Sequence, residues 1–284
     1  MILSASTLGA PGFPLDDVIE VLASTGVRGI ELRMAPGEIV EPSSGPRKLE
    51  RLRRTIAAAG IRLTALASYV RVARAGDDEP VVAELTSALE TASALQAPAV
   101  RVFPGAPTVP DNDLWLRAPT LAEPTDEVDA RASRRLSLVA ETAQRLQVVP
   151  LLETHDSHPT GADVARVVSA VDGPVGVIWD LMHPWRSGED LSDTWSALAP
   201  WLTTGAGSVQ LKDAKLPGDP TPCLVGDGSL PCEEFGELLV SAGYHGTVTL
   251  ELEAAWYPAA PDFAEALASA QRWSARHWTL GVLR

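Results

Sequence analysis

The sequence of 284 residues predicts a closed (β/α)8 barrel, in which eight parallel strands are surrounded by helices. Short runs rich in Val, Ile and Leu alternate with longer amphipathic stretches, and there are eight of each. Strands that alternate with helices pair in parallel, because each crossover helix returns the chain to the same edge of the sheet. No Gly-rich phosphate-binding turn follows the first apolar run, so the closed barrel is favoured over an open doubly wound sheet.

The individual elements follow from local composition and spacing. The strand candidates, short and rich in apolar side chains, span residues 2–7, 29–33, 61–68, 99–105, 149–155, 175–181, 208–213 and 247–253. The helix candidates, each with one apolar face, span residues 14–25, 46–59, 79–95, 126–146, 161–171, 191–202, 232–242 and 262–278. Glycines at 26, 60 and 243 stand just past three of these helices, where a left-handed residue commonly ends a helix.

We interpret residues 1–284 as one barrel domain, because no linker rich in Pro, Gly or Ser divides the repeating units. The longest irregular segment, residues 104–125, follows the fourth strand and contains Trp115. A long loop in a compact domain is often functional, and at this end of a barrel it can act as a lid. The alternative is a surface loop without a role.

The charge balance argues against nucleic acid or membrane as a partner. Lys and Arg number 23 against 37 Asp and Glu, a formal net charge of -14, whereas anionic partners need clustered cations. We expect a small solute as the partner instead.

The sequence shows neither a signal peptide nor a membrane-spanning apolar run, which predicts a cytoplasmic protein. Cys223 and Cys232 are too far apart for CxxC spacing, so no disulfide framework or cysteine zinc site is indicated.

Polar side chains concentrate at the ends of the last four strands. They are Glu153 and His155, Asp180 and His183, Gln210 and Lys212, and Glu251 and Glu253. Reacting groups of a barrel come from these carboxyl ends, and residues two apart share one face of a strand. Carboxylates gathered in one cavity repel each other unless a cation neutralises them, so a divalent metal is expected. Oxygen ligands favour Mn2+ or Mg2+, while the histidines leave Co2+ or Zn2+ open. The alternative is that these acids only cap the following helices or form ion pairs with Lys212 and the nearby arginines.

Four segments resemble, in order and spacing, motifs of the sugar phosphate isomerase/epimerase family with its xylose isomerase-like barrel. They are LLETHDSH, VIWDLMHPWRSGED, SVQLKDAK and LVGDGSLPCEEFGELLVSAGYHGTVTLELE. The resemblance implies a metal held by Glu153, Asp180, Gln210 and Glu251. Gln210 replaces the commoner histidine, as it does in members resembling hydroxypyruvate isomerases and 3-dehydroshikimate dehydratases, and this makes zinc less favourable.

The resemblance also implies roles. Glu153 and Glu251 act as the proton-transfer pair, and His183 contacts the substrate. Glu251 is preferred over Glu253 as the ligand because it lies deeper in its strand. The full set of expected substrate contacts is His155, His183, Lys212, Arg33 and Arg101.

Arginines at the ends of the second, third and fourth strands, Arg33, Arg71 and Arg101, can bind a substrate carboxylate or phosphate, or only balance Glu31 and neighbouring acids. Both interpretations remain open at this point.

The resulting hypothesis is a metal-dependent isomerase or epimerase that removes a proton next to the carbonyl of a carbohydrate-like substrate and passes through an enediolate. A lyase resembling 3-dehydroshikimate dehydratase is the first alternative, since the same intermediate can expel water. A non-catalytic barrel that binds a small molecule is the second. A multi-zinc nuclease is disfavoured, because the chain has 5 histidines and strong negative charge. A homo-oligomer is compatible with the sequence.

Overall fold

A computed structural model describes residues 1–110 and 118–278 and confirms the barrel. Its strands are β1 Ile2–Ser6, β2 Gly29–Arg33, β3 Arg62–Arg71, β4 Ala99–Phe103, β5 Val149–Glu153, β6 Gly176–Asp180, β7 Gly207–Leu211 and β10 Thr247–Leu250. They close in the order β1-β10-β7-β6-β5-β4-β3-β2, and every neighbouring pair is parallel. Two short strands between β7 and β10, β8 Ala214–Lys215 and β9 Asp219–Pro222, form an antiparallel hairpin outside the barrel.

Helices connect the strands. They are α1 Leu15–Thr25, α2 Pro46–Ala58, α3 Asp78–Leu95, α4 Thr125–Leu138, α5 Ala140–Leu146, α6 Gly161–Ser169, α7 Met182–Arg186, α8 Leu191–Leu202, α9 Cys232–Ser241 and α10 Phe263–His277. Gly26, Gly60 and Gly243 have φ values of 74°, 67° and 71°, so the predicted left-handed helix ends are confirmed.

The single helix predicted over residues 126–146 was wrong, because the structure divides it into α4 and α5 at Val139. Val139 has φ -98° and ψ 2°, outside the helical region. The hydroxyl groups of Ser133 and Ser137 bond to backbone carbonyls four residues earlier, a contact that bends helices. Apolar periodicity continues across the break, so it did not reveal the division.

Several predicted strands extended too far at their carboxyl ends. The sheet pairing of β5 ends at Glu153, and that of β10 ends at Leu250. After β5 the chain turns back on itself, and the backbone amides of His155 and His158 each donate to the other residue's carbonyl. These residues leave the sheet to build the mouth of the barrel.

Apolar packing lies in two places. A small cluster fills the barrel interior below the mouth, with Ala65, Ala99, Leu151 and Ile178 buried together. The larger core lies between the strands and the surrounding helices and includes the fully buried Trp179 and Trp273. The polar mouth is therefore supported from below and from outside by close packing. No helix in the described part of the chain has the length and apolarity needed to cross a bilayer.

Arg135 of α4 anchors the loop that follows β3. Its side chain is fully buried and binds Asp78, with 2.7 Å between Nε and Oδ1. The guanidinium also donates to the backbone carbonyls of Val72, Arg74, Gly76 and Asp77. Its neighbour Arg134 reaches the same Asp78 carboxylate from an exposed position.

Replacing Arg135 should destabilise the fold far more than replacing Arg134. Arg135→Met leaves buried carbonyls without donors, so we expect the free energy of unfolding to fall by about 3 kcal/mol. Arg134→Met removes an exposed ion pair, and we expect a loss below about 1 kcal/mol. Urea denaturation followed by circular dichroism measures both, and equal losses would contradict the anchoring role.

Candidate functional site

Four buried acceptor side chains meet at the mouth of the barrel. Glu153 ends β5, Asp180 ends β6, Gln210 is the next-to-last residue of β7, and Glu251 directly follows β10. Asp180 lies opposite Gln210 in the sheet, and Gln210 lies opposite Thr249, two residues before Glu251. Carboxylate oxygens of Glu153, Asp180 and Glu251 lie within 4.8 Å of one another. The structure thus brings together the four residues that the sequence singled out as ligands.

Lys212 places an ammonium group among these acids. Its Nζ lies 2.8 Å from Asp180 Oδ2, 2.5 Å from Glu251 Oε2 and 2.6 Å from Glu253 Oε1. Burial alone would lower the pKa of Lys212, but the surrounding carboxylates outweigh burial and raise that pKa well above its ordinary value. The side chain therefore remains a cation.

Arg101 of β4 supplies the second internal cation. Its guanidinium lies 2.8 Å from Glu251 Oε1 and 3.4 Å from Glu153 Oε2, and its Cζ lies 4.4 Å from the centre of the Phe103 ring. Glu251 also accepts a hydrogen bond from Gln210 Nε2 at 3.2 Å. Arg101 and Lys212 together fix Glu251 in place, whereas Glu153 has only the longer contact.

The site keeps an excess of acidic groups even with these two cations. Burial raises the pKa of Glu153 well above its usual range; Arg101 opposes this shift, and the nearby acids Glu251 and Asp180 add to it. Burial likewise raises the pKa of Glu31, at the end of the neighbouring strand β2. Burial is thus the main cause of both pKa shifts, and Arg101 and Lys212 offset it only in part.

The unpaired oxygen atoms of the site fit a divalent cation. Within the described residues, Glu153 Oε1 and Oε2, Asp180 Oδ2 and Gln210 Oε1 are buried and have no hydrogen-bond donor. Lys212 approaches Asp180 Oδ2, but not with hydrogen-bond geometry. Buried acceptors without donors are costly, and a bound cation would satisfy all of them. Oxygen donors from three carboxylates and one amide are typical of Mg2+ or Mn2+ sites.

Two histidines border the acidic cluster. The rings of His155 and His183 are 4.4 Å apart, and the His155 ring is 4.3 Å from that of Phe103. Asp180 Oδ1 accepts the backbone amides of Met182 and His183, which fixes the first turn of α7 beside the metal candidates. Burial, followed by the charge of His155, lowers the pKa of His183 well below its usual value, so its ring is neutral.

Arg33 lies at the rim rather than among the acids. Its guanidinium pairs with Glu38 at 2.5 Å and donates from Nε to Tyr69 Oη at 2.7 Å. Trp256 covers it, with 5.0 Å from the Arg33 Cζ to the ring centre. A cavity of about 250 Å³ opens between this wall and the cluster. Trp115, the other aromatic residue considered as a cover, lies outside the described residues, as does the central part of the proposed lid.

The sequence did not reveal the role of Asp213, the residue after Lys212. Its carboxylate accepts four backbone amides, those of Ala214, Gly226, Gly228 and Leu230, at 2.9–3.1 Å. Asp213 therefore fixes the loop between β7 and α9 and, through it, the end of the strand that carries Gln210 and Lys212. The available sequence signal was the pair of glycines in GDGS, Gly226 and Gly228, about a dozen residues after Asp213. Without the fold, this pair does not indicate a loop whose amides bind a carboxylate.

Adding a methyl group at Gly228 should disrupt this loop. A Cβ there would lie 2.0 Å from Asp213 Oδ1 and 2.6 Å from the Ala214 carbonyl oxygen. We expect Gly228→Ala to lower the free energy of unfolding by about 2 kcal/mol. Gly218→Ala, in the same loop with its nearest atom at 3.7 Å, should change it by less than about 0.5 kcal/mol. Thermal or urea unfolding compares the two variants, and a neutral Gly228→Ala would refute the proposed packing.

Comparison with known proteins places the chain in a family. The model of the xylose isomerase-like TIM barrel family matches residues 19–275, so the chain belongs to this family. A putative hydroxypyruvate isomerase of Streptomyces coelicolor is 35% identical over 150 residues, which cover 49% of this chain and 50% of that relative. The chain thus matches about half the length of this curated relative.

Solved structures share the whole architecture at low identity. The IolI protein, solved with a bound zinc atom, has a TM-score of 0.77 at 16% identity and covers 99% of this chain and 100% of its own. The 3-keto-D-glucoside 4-epimerase YcjR from E. coli has a TM-score of 0.73 at 17% identity, covering 97% and 99%. Identities of this size establish the common fold alone.

Proposed function

We propose that this protein is a divalent-metal-dependent isomerase or epimerase that moves a proton next to the carbonyl group of a small, carbohydrate-like substrate. The observation that carries the proposal is the convergence of four buried acceptors, Glu153, Asp180, Gln210 and Glu251, at the barrel mouth, where the first three keep oxygen atoms without a hydrogen-bond donor among the described residues. Family membership and the similarity to a putative hydroxypyruvate isomerase support an isomerase-type reaction.

Glu153, Asp180, Gln210 and Glu251 would hold the metal. Mn2+ or Mg2+ suits their oxygen donors best, and the zinc bound by IolI keeps Zn2+ and Co2+ in consideration. When bound, such an ion polarises a substrate carbonyl and stabilises negative charge that develops on its oxygen. Glu253 contacts Lys212 and stands outside this set.

Glu153 is the better candidate for the group that removes the proton. Its two oxygens accept no hydrogen bond among the described residues, so an oxygen that the metal leaves free can accept the proton. Glu251 directly follows β10, which β6 and β7 separate from β5 in the barrel order. Glu153 would return the same proton to the adjacent carbon in an isomerase, whereas in an epimerase Glu251 would first take up a proton from solvent and then give it to the other face of the substrate.

Three further side chains would bind the substrate. The neutral ring of His183 offers one donor and one acceptor to a hydroxyl group, and His155 lies against it. The ammonium group of Lys212, at the same cluster, can donate to a carbonyl or hydroxyl oxygen. Arg101 primarily positions Glu153 and Glu251 through its ion pairs.

Metal binding should depend strongly on Glu251 and only weakly on Glu253, two residues later. We expect Glu251→Gln to weaken Mn2+ binding by about 100-fold or more, since a charged ligand is lost, and Glu253→Gln to weaken it by less than about tenfold. Calorimetric titration of metal-stripped protein measures both constants. The reverse order would exchange the roles of the two glutamates, and absence of binding by the unaltered protein would reject the metal site.

Proton transfer should be visible as solvent exchange. With saturating Mg2+, a diamagnetic ion, in heavy water, proton NMR of candidate ketoses, aldoses and hydroxypyruvate should show loss of a carbon-bound proton. We expect Glu153→Gln to slow this exchange by about a thousandfold, while Glu50→Gln on the exposed face of α2 leaves it unchanged.

The identity of the product separates the two kinds of enzyme. An isomer or epimer supports the proposal. Elimination of water, with the aromatic absorbance that 3-dehydroshikimate acquires, would establish the lyase in its place.

A further inference from the structure

Arg71 lies where two cavities meet. It is the last residue of β3, and it lines both the 250 Å³ cavity beside Glu251 and a second cavity of about 370 Å³. We call this second space the outer cavity, and its wall includes Arg71, Gly105, Thr108, Asp156 and Arg186. A ligand that extends from the acidic cluster toward the outer cavity must therefore pass the Arg71 side chain.

The outer cavity differs from the catalytic one in charge. Arg71 and Arg186 contribute two guanidinium groups to its wall, and Asp156 contributes one carboxylate. That carboxylate lies 2.8 Å from His155 Nδ1 without hydrogen-bond geometry, and its Oδ2 has no hydrogen-bond partner among the described residues. The reacting end of the site is rich in acids, whereas the outer end has more positive than negative charge, so the two ends favour different parts of one substrate.

Arg71 differs from the other two arginines at the strand ends. Arg33 pairs with Glu38, and Arg101 pairs with both Glu153 and Glu251. Within the part of the chain that the structure describes, the Arg71 side chain is exposed and forms neither a hydrogen bond nor an ion pair, although its charge acts on Asp156 in the same cavity wall. Its donors are available to a ligand.

The backbone at Gly105 holds the aliphatic part of Arg71. A Cβ at Gly105 would lie 2.5 Å from Arg71 Cγ and 2.6 Å from its Cβ and Cδ. Gly105 also has a φ of +64°, which favours glycine. The stem of Arg71 therefore occupies the space of a missing side chain, and this contact directs the residue across the junction of the cavities.

We propose that Arg71 recognises an anionic group, a carboxylate or a phosphate, at the end of the substrate remote from the reacting carbonyl. The inference rests on the proposed function, because it specifies the substrate class of that same site. A guanidinium group binds either anion through two parallel hydrogen bonds, which a single ammonium group cannot reproduce.

Two matched pairs of probes test this on the full chain with Mn2+ by calorimetry. Glycerol 3-phosphate is compared with glycerol, and 3,4-dihydroxybutanoate with 1,2,4-butanetriol. Within each pair the neighbouring hydroxyl groups are the same and only the far end changes its charge. We expect the anionic member of at least one pair to bind about tenfold more tightly, and that pair identifies phosphate or carboxylate.

Variants assign the preference to Arg71. We expect Arg71→Met to abolish the preference without weakening the neutral probes, and Arg71→Lys to retain part of it. Arg74→Met, which removes an exposed arginine paired with Glu84, should leave the preference intact. Equal affinities within both pairs, or a preference that survives in Arg71→Met, would overturn the proposal.

Gly105 provides an independent variant. We expect Gly105→Ala to reduce the preference by displacing Arg71. Gly60→Ala carries a closely similar φ of +67° with nothing within 4 Å, and it should leave the preference unchanged. Loss of the preference in both variants would show that backbone strain alone is responsible and would remove the support from Gly105.

The two proposals fail separately. A preference for anions that depends on Arg71, without proton exchange on any substrate, would keep this binding role and reject the isomerase chemistry. Exchange on neutral sugars with no preference for the anionic probes would keep the chemistry and reject the role of Arg71.

Discussion

The barrel mouth depends on one electrostatic constraint: several carboxyl groups are buried together with too few cations. Glu31, Glu153, Asp180 and Glu251 are almost fully buried, and among the described residues Lys212 and Arg101 contact the last three of them, while the charge of Arg186 also acts on Asp180. Isolated buried charges are strongly unfavourable, so such a cluster persists only when additional positive charge or protonation compensates it. A divalent cation would answer this constraint and would place the proposed chemistry at the ends of the strands.

The remaining structure around the mouth holds these groups at their positions. The Asp213 carboxylate accepts hydrogen bonds from backbone amides of the loop after β7, and the Arg135 guanidinium donates hydrogen bonds to backbone carbonyls of the loop after β3. Both anchors are charged side chains that satisfy several backbone groups at once, which is an effective way to order a loop without an apolar core of its own. Gly105 positions Arg71 in a different way, because it has no side chain and leaves space for the aliphatic part of Arg71.

Much of the architecture was accessible from the sequence because it depends on local periodicity. Eight alternating units predict eight parallel strands, and the carboxyl ends of parallel strands converge, so the convergence of Glu153, Asp180, Gln210 and Glu251 could be anticipated. The break at Val139 could not be anticipated, because the apolar pattern continues across it while the backbone leaves the helical region. Pairings such as Arg101 with Glu251 join residues 150 positions apart, and only the closed barrel sets their distances. For the same reason, the sequence could not show that Arg33, Arg71 and Arg101 differ in their ion-pair partners.

Anomalous X-ray diffraction from crystals soaked in Mn2+ would locate the ion that these residues are proposed to hold. We expect a single strong anomalous peak at the barrel mouth, with oxygen atoms of Glu153, Asp180, Gln210 and Glu251 around it. A mouth without anomalous density, with Lys212 and Arg101 as the only cations among the acids, would contradict this proposal.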